Sequence, residues 1–293
     1  MVHPGSPLFC DVSFSVAACL FWNFRAVRCH RRFHLLLLIV SQIIYILSLL
    51  FQVEYAMESV KQGSACVGLR SKSICVLGAL KRSVSELSSH QKKLLKIDDH
   101  MAAGIAGLTA DARSLAKYMQ SECLSHRYVY GQAIPPHQLM ADLADKHQRT
   151  TQMYVRRPFG VGMLIASIDE SRGTPHLYQT CPSGNLYEFY ASAIGARSQS
   201  ARTYLEKHYE SFGAASRDDL IVHALQALQG CCSGDDELTK DNGSIAVVGT
   251  DEEFTLIEGA DLQTYLDRLE VAENNDDDDE EDEAEGGEAM EES

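Results

Sequence analysis

The sequence predicts an α+β domain built as a four-layer sandwich, in which two β-sheets face each other and helices cover both outer sides. Three observations lead to this prediction. Apolar runs of strand length recur along residues 50–271, longer segments with helical periodicity occur in pairs between them, and polar turn residues separate neighbouring runs. Paired helices between antiparallel strands favour two packed sheets with helices outside.

The predicted elements alternate in groups of strands and helices. A helix at 52–62 precedes strands at 64–70, 74–80, 93–98 and 100–107, and helices at 109–128 and 137–150 follow. Next come strands at 160–168, 175–181 and 186–194, helices at 196–212 and 216–231, strands at 244–249 and 253–257, and a helix at 260–270. Thr109 and Asp111 are candidate caps for one helix, and Ser216, with Asp219 three residues on, for another.

Negative charge is concentrated at the end of the chain. The net charge is −15, but 13 of the 41 acidic residues follow residue 272, where Lys and Arg are absent. Residues 272–293 are therefore predicted to form a disordered acidic tail. The remainder is close to neutral and shows no basic face of the kind that nucleic acid requires, so we expect no nucleic-acid partner.

The cysteines and histidines predict neither a metal site nor a cofactor. The nine cysteines are scattered without a C-x-x-C pair, and the adjacent Cys231 and Cys232 suit neither zinc nor a relaxed disulfide. His30 and His34 lie four residues apart, but the residues around them offer no third ligand. We therefore expect reduced thiols, no bound metal and no cofactor.

The first 49 residues differ from the rest of the chain. Basic residues precede an apolar run, Leu35–Phe51, whose length approaches the roughly 20 residues that a membrane-spanning helix needs. One interpretation is a membrane-anchored variant of the protein. We favour the other, in which residues 1–49 are intron-derived or a misassigned first exon and no membrane contact is expected.

The stretch QGSACVGLRSKSICVLGALKR, residues 62–82, raises the question of catalysis. Its two apolar runs flank a short polar segment and predict a hairpin of buried strands. In one class of amide hydrolases, such a strand begins with a free N-terminal nucleophile. Ser64 stands at the start of the strand here, but a helix-like segment precedes it in the chain.

Four stretches resemble the alpha-type subunits of the eukaryotic 20S proteasome: FQVEYAMESVKQGSACVGLRSK, GLTADAR, RRPFGVGMLIASID and AIGARSQSARTYLEKHYESF. The resemblance covers residues 50–271 and implies the sandwich fold of the N-terminal nucleophile hydrolases. It also implies a non-catalytic subunit of the alpha ring that serves ubiquitin-dependent protein degradation in cytoplasm and nucleus. The implied partners are neighbouring alpha subunits, the beta ring, and the C-terminal tails of a regulatory particle or activator.

The resemblance places the catalytic positions of the related beta-type subunits on this chain. The nucleophilic threonine falls on Ser64, the supporting acid on Leu80 and the lysine on Lys93. The nitrogen of Ser64 is an amide joined to Gly63, which cannot act as a base, and Leu80 carries no charge. We therefore expect no catalysis, and the alternative is an autonomous hydrolase that uses Ser64.

The resemblance implies that the helix Gln52–Gln62 covers the end of the sandwich that beta-type subunits leave open. Val53, Ala56, Met57 and Val60 lie on one face of this amphipathic helix. We name it the plug helix, and its implied functional residues are Gln52, Val53, Glu54, Tyr55 and Met57.

A docking pocket for activator tails is the last implied site. Lys93 matches a lysine that pairs with the C-terminal carboxylate of a docking tail between neighbouring alpha subunits. Gly63 lies in the turn that frames the same pocket, where the lack of a side chain allows close backbone approach. The family's N-terminal gating motifs, Tyr-Asp-Arg and Ser-Pro-x-Gly-Arg, do not occur in this sequence. Gating residues are therefore not assigned.

Overall fold

The computed structural model describes residues 30–82, 87, 90–153, 155–232, 238–250 and 252–269, and it leaves out the side chains of 30–39 and 42–46. The acidic tail expected at 272–293 lies outside the described residues. The chain divides into two compact units, Met1–Ser48 and Leu49–Ser293. In the first unit, the described residues 30–48 are helical.

Two five-stranded antiparallel sheets form the centre of the second unit. Sheet A contains β1 Cys66–Arg70, β2 Ile74–Leu80, β8 Ala191–Ile194, β9 Gly243–Gly249 and β10 Thr255–Ile257, in the order β10-β9-β2-β1-β8. Sheet B contains β3 Leu94–Asp98, β4 Met101–Gly107, β5 Val161–Asp169, β6 Thr174–Thr180 and β7 Leu186–Phe189, in the order β3-β4-β5-β6-β7. The predicted hairpin is confirmed, since β1 and β2 pair from Cys66 opposite Ala79 to Arg70 opposite Cys75.

Three apolar clusters define four layers. The cluster between the sheets includes Leu77 from sheet A and Leu164 and Leu177 from sheet B. Helices α2 Thr109–Tyr130 and α3 Pro136–Gln152 cover the outer face of sheet B. Helices α4 Ser198–Phe212 and α5 Arg217–Gln229, with helical residues 260–269, cover the outer face of sheet A. The predicted helix–sheet–sheet–helix arrangement is therefore confirmed.

The strand expected at 186–194 is in fact two strands of different sheets. β7 pairs with β6 in sheet B, whereas β8 pairs with β1 in sheet A. Tyr190 lies between them with 66% of its surface exposed, and the chain crosses from one sheet to the other at this residue. Because both halves are short and carry residues typical of strands, the sequence alone does not reveal the break.

One predicted helix cap is confirmed and the other is wrong. The Oγ of Ser216 accepts a hydrogen bond from the Asp219 amide at the start of α5. At the start of α2, the capping position is held by Leu108, which has no side-chain acceptor. Thr109 lies inside the helix instead, and the carboxylate of Asp111 faces a distant segment of the chain.

The plug helix is the C-terminal part of a longer helix, α1 His30–Gln62. The helix continues back through the apolar run Leu35–Phe51 without an interruption. Among the residues that the structure describes, no helix has both the length and the apolar character needed to cross a membrane.

Candidate functional site

Ser64 lies in the turn between α1 and β1, in the interior of the folded chain. Only 4% of its surface is exposed, and its Oγ has no hydrogen-bond partner among the described residues. On the N-terminal side of the turn, the carbonyl of Gly63 accepts a hydrogen bond from the amide of Ala196 at 2.6 Å. The serine is therefore enclosed within a continuous chain.

Leu80 ends β2 beside this turn. Its amide donates to the carbonyl of Ala65, the residue after Ser64, at 3.0 Å. The position that an acid occupies in the implied catalytic arrangement is thus close to Ser64 along the backbone, but its side chain is a hydrocarbon. Leu80 offers no group that can accept or hold a proton.

Lys93 immediately precedes β3, and 4% of its surface is exposed. Its ammonium makes no hydrogen bond or ion pair with any residue in the described part of the chain. Burial lowers the pKa of Lys93, the nearby Cys66 thiol opposes this effect, and Arg82 adds to it. A buried ammonium without a partner costs free energy.

Cys66 lies near both Ser64 and Lys93. It lies two residues after Ser64, and burial raises the pKa of its thiol to about 12 despite the opposing effect of Lys93. Its Sγ also lies 2.3 Å from where a side chain on Gly104 of β4 would begin. The start of β1 in sheet A and the start of β3 in sheet B therefore meet around one thiol, which is protonated at neutral pH.

Gly63 makes the close backbone approach expected from the sequence. A Cβ on this residue would lie 2.2 Å from the amide nitrogen of Gly107, at the end of β4. Gly107 has a φ of +110° and in turn meets the carbonyl oxygen of Gly160, where an added Cβ would lie at 2.4 Å. Glycine is required here because three backbone segments share a space too small for side chains.

The plug helix contacts the domain through one narrow strip. Ala56 is buried, Val60 packs against the cluster between the sheets, and the Oγ of Ser59 lies 2.9 Å from the carbonyl oxygen of Gly160. Val53 is partly buried on the same side. Ser59, which the amphipathic pattern does not select, thus makes a direct contact with the domain.

The expectation that Met57 belongs to the inward strip is wrong. It is 39% exposed, because it follows Ala56 by one residue, about 100° around the helix axis, and so lies at the side of the strip formed by Ala56 and Val60. The other implied residues, Gln52, Glu54 and Tyr55, are exposed as well. Exposed apolar side chains thus occur at Tyr55 and Met57 of the plug helix and at Leu50 and Phe51 just before it, among the exposed charged residues Glu54, Glu58 and Lys61.

A polar pair beside the plug helix went unrecognised in the sequence. The guanidinium of Arg157 contacts the carboxylate of Asp111 through two nitrogen–oxygen pairs, at 2.7 and 2.8 Å. The amide of Gly160 donates to the same carboxylate at 3.0 Å. Both residues belong to stretches that carry the family resemblance, but their sequence separation hides the contact.

No group of three or more His, Cys, Asp and Glu side chains in the described residues could hold a metal ion. The described cysteines are free thiols, and for Cys75 as for Cys66 burial raises the pKa to about 12. The structure thus offers, within its described part, a buried serine, a buried lysine and a covering helix, rather than a metal centre.

Two facing antiparallel sheets between helices, with a serine just before the first strand, are consistent with the sandwich of the N-terminal nucleophile hydrolases. A family model described as "Proteasome subunit" matches residues 60–248. The chain belongs to this family of proteasome subunits.

Curated relatives cover most of the second unit. Proteasome subunit alpha type-1 of Dictyostelium discoideum is 52% identical over 220 residues, which span 75% of this chain and 88% of the relative. The probable proteasome subunit alpha type-6 of Schizosaccharomyces pombe is 51% identical over 220 residues, spanning 75% and 80%. Proteasome subunit alpha type-1 of Drosophila melanogaster is 49% identical over 216 residues, spanning 72% and 76%.

Proposed function

We propose that the chain is a non-catalytic structural subunit of the alpha ring of the 20S proteasome core, in which residues 50–271 form the assembling domain. The observation that carries this proposal is the state of Ser64. Its nitrogen is a peptide amide, its hydroxyl is buried, and Leu80 replaces the acid, so the proton transfers of an N-terminal nucleophile have no groups to perform them. An autonomous hydrolase based on Ser64 finds no support in this geometry.

The proposed partners are neighbouring alpha subunits, the beta ring and the C-terminal tails of regulators. The names of the relatives as alpha subunits support the first two. The exposed apolar side chains of Leu50, Phe51, Tyr55 and Met57 support assembly on physical grounds, because large apolar side chains exposed near one another are typical of contact sites. As a ring subunit of a soluble particle, the protein would act in cytoplasm and nucleus, in ubiquitin-dependent degradation.

Lys93 is proposed to receive the carboxylate of a docking tail. A buried ammonium that lacks a partner is a ready site for a carboxylate, since pairing removes the cost of leaving the charge alone. Gly63, in the tight junction with Gly107, would frame this pocket with backbone atoms. The pocket would control regulator docking and, through it, substrate entry.

Incorporation and catalysis can be tested together. A tagged chain carrying Ser64→Ala should enter 20S particles as efficiently as the parental chain, measured by native mass spectrometry of the purified complex. Peptide hydrolysis by those particles should match that of parental particles. Failure of the parental chain to enter the ring would refute the assembly role, whereas loss of activity in correctly assembled Ser64→Ala particles would refute the non-catalytic role.

The docking role has a matched control in the adjacent residue. Lys93→Ala should weaken activator-stimulated hydrolysis, with the midpoint of the activator titration shifted to higher concentration by about 10-fold or less, because several pockets of the ring share the load. Lys92→Ala removes an exposed lysine and should leave the titration unchanged. Identical titrations for the two variants, in particles with equal basal activity, would rule out the pocket.

A further inference from the structure

Apolar burial alone does not account for how the plug helix is held. Between Leu49 and Gln62, Ala56 is the one buried residue, and Leu49, Val53, Ser59 and Val60 are partly buried. The large apolar side chains of this segment, Leu50, Phe51 and Tyr55, are all more than half exposed. The area removed from water by the inward strip is small, so polar contacts have a large share in fixing the position of the helix.

Gly160 provides the polar contact point. Its carbonyl oxygen lies 2.9 Å from the Oγ of Ser59 and also accepts a hydrogen bond from the amide of Leu108 at 2.9 Å. The Ser59 hydroxyl has a second acceptor within reach, the carbonyl of Ala56 in its own helix at 2.8 Å. The Ser59 hydroxyl has one proton and two possible acceptors, one in its own helix and one in the domain. The strength of its hydrogen bond to the domain therefore depends on where the Gly160 carbonyl lies.

Asp111 and Arg157 determine the position of Gly160. One carboxylate oxygen of Asp111 accepts from both the Arg157 guanidinium and the Gly160 amide, and the other oxygen completes the two-point contact with the guanidinium. Burial opposes ionisation of Asp111, but the guanidinium and the amide together hold the pKa of the carboxyl below its usual value. Arg157 also donates to the carbonyl of Pro158 at 3.1 Å. The segment that leads to Gly160 is therefore held at Pro158 by the guanidinium and at Gly160 by the carboxylate.

We propose that Asp111 and Arg157 are a positioning pair that holds the plug helix against the domain. They fix the loop that ends at Gly160, and this loop holds the helix through Ser59 and through the close approach to Gly107. The helix in turn covers the cluster that contains Cys66, through the packing of Val60. This role belongs to the folded chain itself and does not depend on assembly into a ring.

The glycine contacts explain why a small displacement of the loop would reach the helix. The Cα of Gly160 faces the Ser59 hydroxyl, and a Cβ there would lie 2.9 Å from its oxygen. The next glycine, Gly162 of β5, faces Val60, whose Cγ1 would lie 2.8 Å from an added Cβ. Ser59 and Val60 thus contact Gly160 and Gly162 directly. Because neither glycine has a side chain that could change its rotamer, a displacement of their backbone would displace the helix.

Amide hydrogen exchange of the full-length chain tests the proposal. In Arg157→Ala, amides of residues 56–63 should exchange about 3- to 10-fold faster, as expected for loss of a hydrogen-bonded charge pair on a partly exposed surface. Arg157→Lys keeps the charge but not the two-point contact and should give a smaller increase. Arg156→Ala is the matched control, because this neighbouring arginine is exposed and makes no ion pair within the described residues.

The pattern of exchange decides whether the proposal holds. Faster exchange confined to 56–63 and the Gly160 loop, together with faster thiol labelling of Cys66, would support the pair as a positioning device. Equal exchange in Arg157→Ala and Arg156→Ala would overturn it, and so would uniform acceleration that includes β2 and β9, since that shows only a loss of overall stability. If Arg157→Ala does not fold, Ser59→Ala removes the hydroxyl alone and should still accelerate exchange in the helix. Unchanged exchange in Ser59→Ala would then overturn the proposal.

Discussion

Two polar sites next to the plug helix differ in how their groups are satisfied. At the first, the Asp111 carboxylate contacts the Arg157 guanidinium at two points and also accepts from the Gly160 amide. At the second, Ser64 and Lys93 are each 4% exposed, the buried Ser64 hydroxyl has no hydrogen-bond partner among the described residues, and burial lowers the pKa of Lys93. The first site adjoins the junction of Gly63, Gly107 and Gly160 through the Gly160 amide, and Ser64 of the second directly follows Gly63 in the chain.

Whether a buried polar group has hydrogen-bond partners determines whether it stabilises the fold. A buried polar atom with partners recovers the cost of leaving water, and one without them does not. Asp111 and Arg157 therefore belong to the architecture of the domain. No such contact is found for Lys93 among the described residues, and burial lowers its pKa.

The largest effect is expected at the junction between the two sites. Gly63→Ala places a Cβ 2.2 Å from the Gly107 amide nitrogen, and backbone on both sides leaves no side chain to move away. We expect a loss of at least about 3 kcal/mol in the free energy of unfolding. Gly213→Ala is the control, since nothing lies within 4 Å of the added Cβ. Thermal denaturation that gives the two variants equal midpoints would contradict the described junction.

Removing the satisfied carboxylate should have the next largest effect. Asp111→Ala leaves the Gly160 amide without its acceptor and Arg157 without its partner, and we expect a loss of about 2 kcal/mol. Urea denaturation measures this loss directly. Asp145→Ala, at an exposed carboxylate of α3, is the comparison. An equally small loss in both variants would place Asp111 with the surface residues rather than with the architecture.

A third group without partners, His147, should make stability depend on pH. It is fully buried in α3 without a hydrogen-bond partner in the described chain, and burial lowers its pKa from 6.5 to about 4. The unfolded chain then binds the proton more readily, so stability is lost as pH falls through 6.5 and the loss is complete below about 4. At pH 5 this loss is about 2 kcal/mol.

The control for this prediction lies on the same helix. His137 is exposed near the start of α3. His147→Leu should flatten the dependence of the unfolding midpoint on pH between 7 and 5, whereas His137→Leu should leave it as in the parental chain. A pH profile that keeps its slope in His147→Leu would show that another group causes the acid sensitivity.

The smallest effect, of opposite sign, is expected at the second site. Lys93→Met replaces the lone ammonium with an uncharged side chain of similar length, so the free energy of unfolding should stay the same or rise by about 1 kcal/mol. Lys92→Met, at an exposed position, should change it by less than about 0.5 kcal/mol. A clear loss of stability in Lys93→Met would reveal a structural partner for this ammonium and remove the contrast between the two sites.

Elements whose causes are local could be predicted from the amino-acid sequence. Alternation of apolar runs and turns predicted the β1–β2 hairpin, and the polar oxygen of Ser216 three residues before Asp219 predicted the cap of α5, because both depend on neighbours in the chain. The resemblance of its stretches to one family supplied the candidate positions Ser64, Leu80 and Lys93. The burial of Ser64 and Lys93 and the absence of their partners were beyond both kinds of prediction.

Features that depend on contacts between distant segments could not be predicted in this way and required the folded structure. Asp111 and Arg157 are 46 positions apart, and the pattern around Asp111 favoured a helix cap until packing brought the guanidinium to it. The break at Tyr190 likewise depends on which sheet accepts each half of the segment. Hydrophobic periodicity also cannot tell that Met57 faces outward while Ser59 faces Gly160, because which side of a helix is covered depends on what packs there.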